Sequence, residues 1–132
     1  MSEDVLTRTA ARWKIPREMA LKIIRRDRRC IYCSHIFEFP VGPKARWPSW
    51  EHIVNDVSLI NEANIALCCW GCNASKRARP LAAWLSSSYC RDRGIDATSV
   101  ALVAQAVLAA SNTPKAPINI DLSAPTAIDP DG

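Results

Sequence analysis

Apolar residues recur at helical spacing in one early segment: Met19, Ala20, Ile23 and Ile24 follow Pro16, a residue suited to the first turn of a helix. The opposite side of that segment carries Arg17, Lys22, Arg25, Arg26 and Arg28. Residues 1–15 show no comparable pattern and read as a loose basic arm. The pattern then shortens. Ser49 to Val54 reads as a strand, and Asn64 to Cys68 as its antiparallel partner. From Asn73 the spacing turns helical until Arg79-Pro80, because proline disfavours helix in the residue before it. Leu81, Trp84, Leu85 and Tyr89 form a further helical stripe ended by Gly94, and Thr98 to Ala110 a last, alanine-rich helix. Between the first helix and the first strand, Phe37 to Pro48 holds three prolines and a glycine and reads as an irregular loop.

Two strands among several helices predict a small α+β domain over residues 1–110. The arm and basic helix fill 1–29, the core 30–79 and supporting helices 80–110. Residues 111–132, with four prolines and few large apolar side chains, read as a disordered tail. The most apolar stretch, 97–110, is short and interrupted by Thr98, Ser99 and Gln105, so no membrane partner is expected. The first residues run into arginines without an apolar signal segment, which predicts a cytoplasmic protein.

Charge changes this picture at one end only. The net charge is +4, but residues 1–29 carry nine Lys/Arg against four Asp/Glu, whereas 30–110 carry seven against six. A basic front end suits a polyanion, whose neutralised phosphates release counterions. A solvated helix surface accounts for the same charges.

The six cysteines are more specific. Cys30/Cys33 and Cys69/Cys72 are two Cys-x-x-Cys pairs, meeting the tetrahedral thiolate demand of a structural zinc. The alternative is buried free thiols or a redox pair. The thirty-five residues between the pairs leave room for an inserted functional loop. Cys68 abuts Cys69, but only Cys69 has the two-residue spacing to Cys72. Cys90 reads as a helix packing residue and His35 as a surface loop histidine.

Within that interval stand Glu51-His52-Ile53 and then Asn64, followed by Cys69-x-x-Cys72-Asn73-x-x-Lys76. Together with Cys30-x-x-Cys33, this arrangement resembles the HNH endonucleases, in an HNN variant formed by His52, Asn64 and Asn73. The resemblance spans Cys30 to about Lys76. It implies a ββα-metal fold, a structural Zn²⁺ on the four cysteines, and a separate catalytic Mg²⁺ or Mn²⁺ held by Glu51 and Asn73. Asn64 would pin the loop between the strands.

The chemistry is consistent with that implication. Phosphodiester hydrolysis needs an activated water and a cation against the charge building on phosphate oxygens. His52 is the natural general base, its intrinsic pKa being near neutral. Glu51 and Asn73 offer hard oxygen ligands. Arg25, Arg26, Lys76 and Arg77 are the expected contacts to nucleic acid, DNA ahead of RNA. One tension is physical: adjacent strand residues face opposite ways, so Glu51 and His52 reach one phosphate only if a bulge or strand end intervenes. In a regular strand Glu51 faces solvent and its assignment as a ligand fails. The competing readings are a zinc-stapled nucleic-acid-binding module without catalysis and, behind it, a zinc-organised protein-interaction domain.

Overall fold

The computed structural model describes residues 3–112; residues 113–132, most of the expected tail, lie outside them. Helix α1 (Glu3–Arg12) occupies the stretch expected to be a loose arm. That expectation is corrected by packing: Leu6 and Ala10, four apart on one helical face, are buried with Ile15, Ile23 and Ile24. Leu6 is the one large apolar residue buried on that helix, too little to read as a stripe. Helix α2 (Arg17–Arg26) begins after Pro16 as the sequence predicts.

The Cys30–Cys33 turn follows, held by an isolated antiparallel bridge between Arg29 and Ile36. The irregular loop runs through a short 3₁₀ turn (Lys44–Arg46) into strand β1 (Pro48–His52), which pairs with β2 (Ile65–Cys69). Pairing is continuous from Pro48↔Cys69 to His52↔Ile65, so the strand contains no bulge. Helix α3 (Trp70–Lys76) starts directly after β2, earlier than the sequence pattern suggested. The next stripe is two helices, α4 (Leu81–Leu85) and α5 (Ser88–Arg93), the latter stopped by Gly94 at φ +68°. Helix α6 (Leu102–Asn112) completes the described chain.

The small α+β architecture is therefore as expected. Strand β2 is buried along its whole length, and its outer edge does not face solvent. Asp27 accepts from the Leu67 N–H at 3.0 Å, and the Ile31 N–H donates to the Leu67 carbonyl at 3.2 Å. Arg26 grips Asp27 with two guanidinium nitrogens, at 2.7 and 2.8 Å, and donates to the carbonyls of Glu62 and Ile65. These bonds satisfy the edge groups that would otherwise template strand addition.

Candidate metal centre and candidate catalytic residues

The turn after α2 supplies Cys30 and Cys33, while the end of β2 and first turn of α3 supply Cys69 and Cys72. Their four sulfurs all lie within 4.8 Å of one another. A tetrahedron with metal–sulfur bonds of about 2.3 Å has edges of about 3.8 Å, and the Cys33 Sγ to Cys69 Sγ distance is 3.7 Å. Backbone N–H groups point at the sulfurs, from Tyr32 and Cys33 to Cys30 Sγ at 3.4 and 3.5 Å and from Cys72 to Cys69 Sγ at 3.5 Å. Such donors favour thiolate. Hydrogen bonds among the four sulfurs pull the Cys69 and Cys33 pKa down and push those of Cys30 and Cys72 up, so the thiols titrate as one set. The group can thus hold a tetrahedral metal such as zinc.

The pairing of Cys69 rather than Cys68 with Cys72 is as expected. Cys68 is fully enclosed beside Ser49, and burial pushes its pKa up. Cys90 is buried in α5, and His35 is exposed outside the sulfur cluster.

The regular strand separates Glu51 from His52. The Ser49/Glu51 face looks toward α3 and the sulfur cluster. There Glu51 is 4% exposed; Tyr32 Oη donates to its Oε2 at 2.6 Å, and Lys76 Nζ lies 3.1 Å from the same oxygen. Lys76, with no exposed surface, also donates to the Ile53 carbonyl at 3.0 Å. Burial and the charge of Glu51 push the Tyr32 pKa well above its usual value, keeping the hydroxyl a donor.

Two expectations are corrected here. Glu51 faces neither solvent nor a cation site but is bound by an internal ammonium group, so its carboxylate does not fit the divalent ion implied for it. Lys76 is not a phosphate contact, because its charge is enclosed against Glu51. No second convergence of three or more His, Cys, Asp or Glu ligands occurs among the described residues.

The Trp50/His52 face looks toward α1. Trp50 Nε1 donates to the Leu6 carbonyl at 2.9 Å. His52 stands edge-on to Trp13, with ring centroids 5.7 Å apart. Its Nε2 is enclosed without a hydrogen-bond partner; Nδ1 is not so enclosed. Desolvation lowers the His52 pKa below 6.5, against the opposing charges of Glu51 and Asp56. Burial therefore favours the neutral ring.

Asn64 is buried and its side chain is fully engaged. Its Oδ1 accepts from the Val54 N–H at 2.7 Å, while Nδ2 donates to the Val54 and Leu59 carbonyls, each at 3.1 Å. It closes the loop that follows His52, as expected. Asn73 Nδ2 donates to Ser49 Oγ at 3.0 Å and the Trp50 carbonyl at 3.2 Å. Its Oδ1 makes no hydrogen bond among the described residues.

Of the expected nucleic-acid contacts, Arg25, Arg26 and Arg77 are exposed. Arg25 lies 3.8 Å from Glu3 in a surface pair, which holds it only weakly. Arg77 ends α3 at φ +52°. The side chain of Arg26, 34% exposed, is engaged by Asp27 and by the Glu62 and Ile65 carbonyls.

Tyr32 and Trp13 were missed by sequence reasoning. A tyrosine inside a buried knuckle needs a partner for its hydroxyl, which was the available signal for Tyr32. Trp13 lay in the segment taken for an arm. Comparisons of the chain with protein-family models, curated proteins and solved structures found no match.

Proposed function

We propose that the chain is an HNH-type endonuclease that hydrolyses phosphodiester bonds in nucleic acid, DNA ahead of RNA. The observation carrying this reading is the hairpin-and-helix unit beside four metal-competent cysteines, with a histidine whose neutral form is favoured ending its first strand.

In this reading His52 Nδ1, the ring nitrogen that is not enclosed, takes the proton of the water whose oxygen bonds phosphorus. The P–O bond to the leaving oxygen breaks, and that oxygen takes a proton from solvent. A base held in its neutral form requires no prior deprotonation. Asn64 holds the loop behind it, and Asn73 Oδ1 remains available to a substrate or its hydration shell. Arg25 and Arg77 supply exposed positive charge for the phosphate backbone. Zinc, bound by Cys30, Cys33, Cys69 and Cys72, fixes where α3 begins. The resemblance also calls for Mg²⁺ or Mn²⁺ at Glu51 and Asn73; the Glu51–Lys76 pair does not fit that role, and no step is assigned to the ion.

That same pair favours a second reading, a zinc-stapled nucleic-acid-binding module without catalysis. Zinc-loaded protein incubated with plasmid, with added Mg²⁺ or Mn²⁺ and with neither, separates the two. Nuclease action is expected to produce nicked or linear plasmid, reduced by roughly 10²- to 10⁴-fold in His52→Ala while binding persists. Equal cleavage by His52→Ala removes His52 from the mechanism. Binding without cleavage under every condition establishes the module.

A further inference from the structure

A cleft of about 430 Å³ opens between the end of α1 and the start of α3, over β1. Its walls include Thr9, Arg12, Trp13, Ser49, Trp70 and Asn73. Its size lies within the usual range for small-molecule sites. Two of the walls are indoles about half exposed to water, Trp13 at 50% and Trp70 at 45%. The other three indoles are engaged inside the fold: Trp84 Nε1 bonds Ser75 and Trp50 Nε1 bonds Leu6, while Trp47 stands edge-on to Phe39 with its Nε1 enclosed.

The cleft's electrostatics are one-sided. Arg12 lines it and no carboxylate does, while Lys44 Nζ sits 4.5 Å from the Trp70 ring centroid. Asn73 adds a carbonyl oxygen with no internal partner, able to accept from a base N–H. Half-exposed indoles, flanking cations and a lone polar acceptor match the chemistry of a nucleotide: a flat π surface, an anionic backbone and edge donors. A duplex keeps its base faces stacked within itself. An unpaired base offers them.

We propose that this cleft holds an unpaired base of a single strand, stacked on Trp13 or Trp70 with its phosphate toward Arg12. The inference rests on the nuclease reading only for the choice of nucleic acid as ligand, and it names single-stranded nucleic acid as the substrate class. Trp13 also contacts His52, so an occupied cleft brings the strand beside the proposed base.

The test uses the full zinc-loaded chain without added Mg²⁺ or Mn²⁺, titrated with oligothymidylate of about 12 nucleotides and with a duplex of equal length. The single strand is expected to bind more tightly than the duplex and to protect indole fluorescence from iodide quenching. Trp13→Ala and Trp70→Ala should each weaken single-strand binding by roughly 5- to 150-fold, and Trp13→Phe by far less. Duplex binding as tight as single-strand binding, or unprotected indoles in the saturated wild type, overturns the proposal. Plasmid cleavage is scored separately. A chain that cuts plasmid but binds single strands independently of its indoles loses the cleft and keeps the nuclease. A chain that binds through its indoles but cuts nothing keeps the cleft and loses hydrolysis.

Discussion

The two faces of β1 treat polar side chains in opposite ways. On the α3 side Glu51, Tyr32 and Lys76 form a closed set in which charge meets charge and each donor named above has an acceptor. On the α1 side His52 is left with an enclosed nitrogen that bonds nothing. A buried ion pair is tolerated only when its geometry and remaining hydrogen bonds are complete. An unsatisfied buried group costs stability. Two residues adjacent in the chain thus meet different surroundings, Glu51 a closed polar set and His52 an unpartnered nitrogen, because strand alternation sends them to different neighbours.

Removing what both faces share is expected to have the largest effect. Tyr32 lies between Cys30 and Cys33, and Asn73 follows Cys72, so the sulfur cluster positions groups on either side. Structural zinc sites contribute about 10–16 kcal/mol in small zinc-finger peptides. Cys72→Ser, or exhaustive chelation, should abolish cooperative unfolding followed by circular dichroism. An unchanged transition would show that the cluster is no staple.

Breaking the α3 face alone comes next. Lys76→Met leaves a buried carboxylate without its cation and should cost about 3–5 kcal/mol in urea unfolding. The double variant Glu51→Gln/Lys76→Met should recover much of that loss. Failure of the second change to compensate would mean that the two side chains are not interacting as a pair.

The same operation on the α1 face should do little. His52→Phe removes an unpartnered nitrogen whose burial costs about 1–3 kcal/mol, so stability should stay near wild type or rise. A loss as large as that of Lys76→Met would make the two faces equivalent and end the contrast.

The smallest expected effect is in pH. Desolvation depresses the folded-state pKa of His52 below 6.5, so the unfolded chain binds this proton more readily. Its contribution is fully present above about pH 6.5 and is lost as pH falls through the folded value. The stability of wild type relative to His52→Phe should therefore decline between pH 7.5 and 5.5. A difference that grows on acidification would mean that His52 gains a partner when charged.

Much of this was legible from local pattern. The cysteine pairs announced the metal-competent cluster because two-residue spacing is itself a turn geometry. The helix after Pro16 and the stop at Gly94 followed from fixed backbone preferences. Asn64 was readable as a loop pin. Glu51 and Lys76 were not readable as partners, because nothing local tells a buried carboxylate from a metal ligand until the ammonium group beside it is seen. Strand alternation alone turns Glu51 to solvent; Tyr32, nineteen positions earlier, instead gives that face an interior. Helix α1 escaped notice for the related reason that its apolar face is narrow and is completed by residues from α2 and β1.

The sulfur cluster also has a consequence in polymer terms. Cys33 and Cys69 are separated by 36 positions, and the chain between them includes β1 and the loop pinned by Asn64. Bringing such distant points together carries a closure entropy before any strand contact repays it. A metal gripping both pairs would act as a tether, holding β2 near the knuckle that caps its edge and raising the local concentration of each for the other. Assembly of the hairpin would then follow metal capture, and folding speed would rise with free zinc until the tether is saturated.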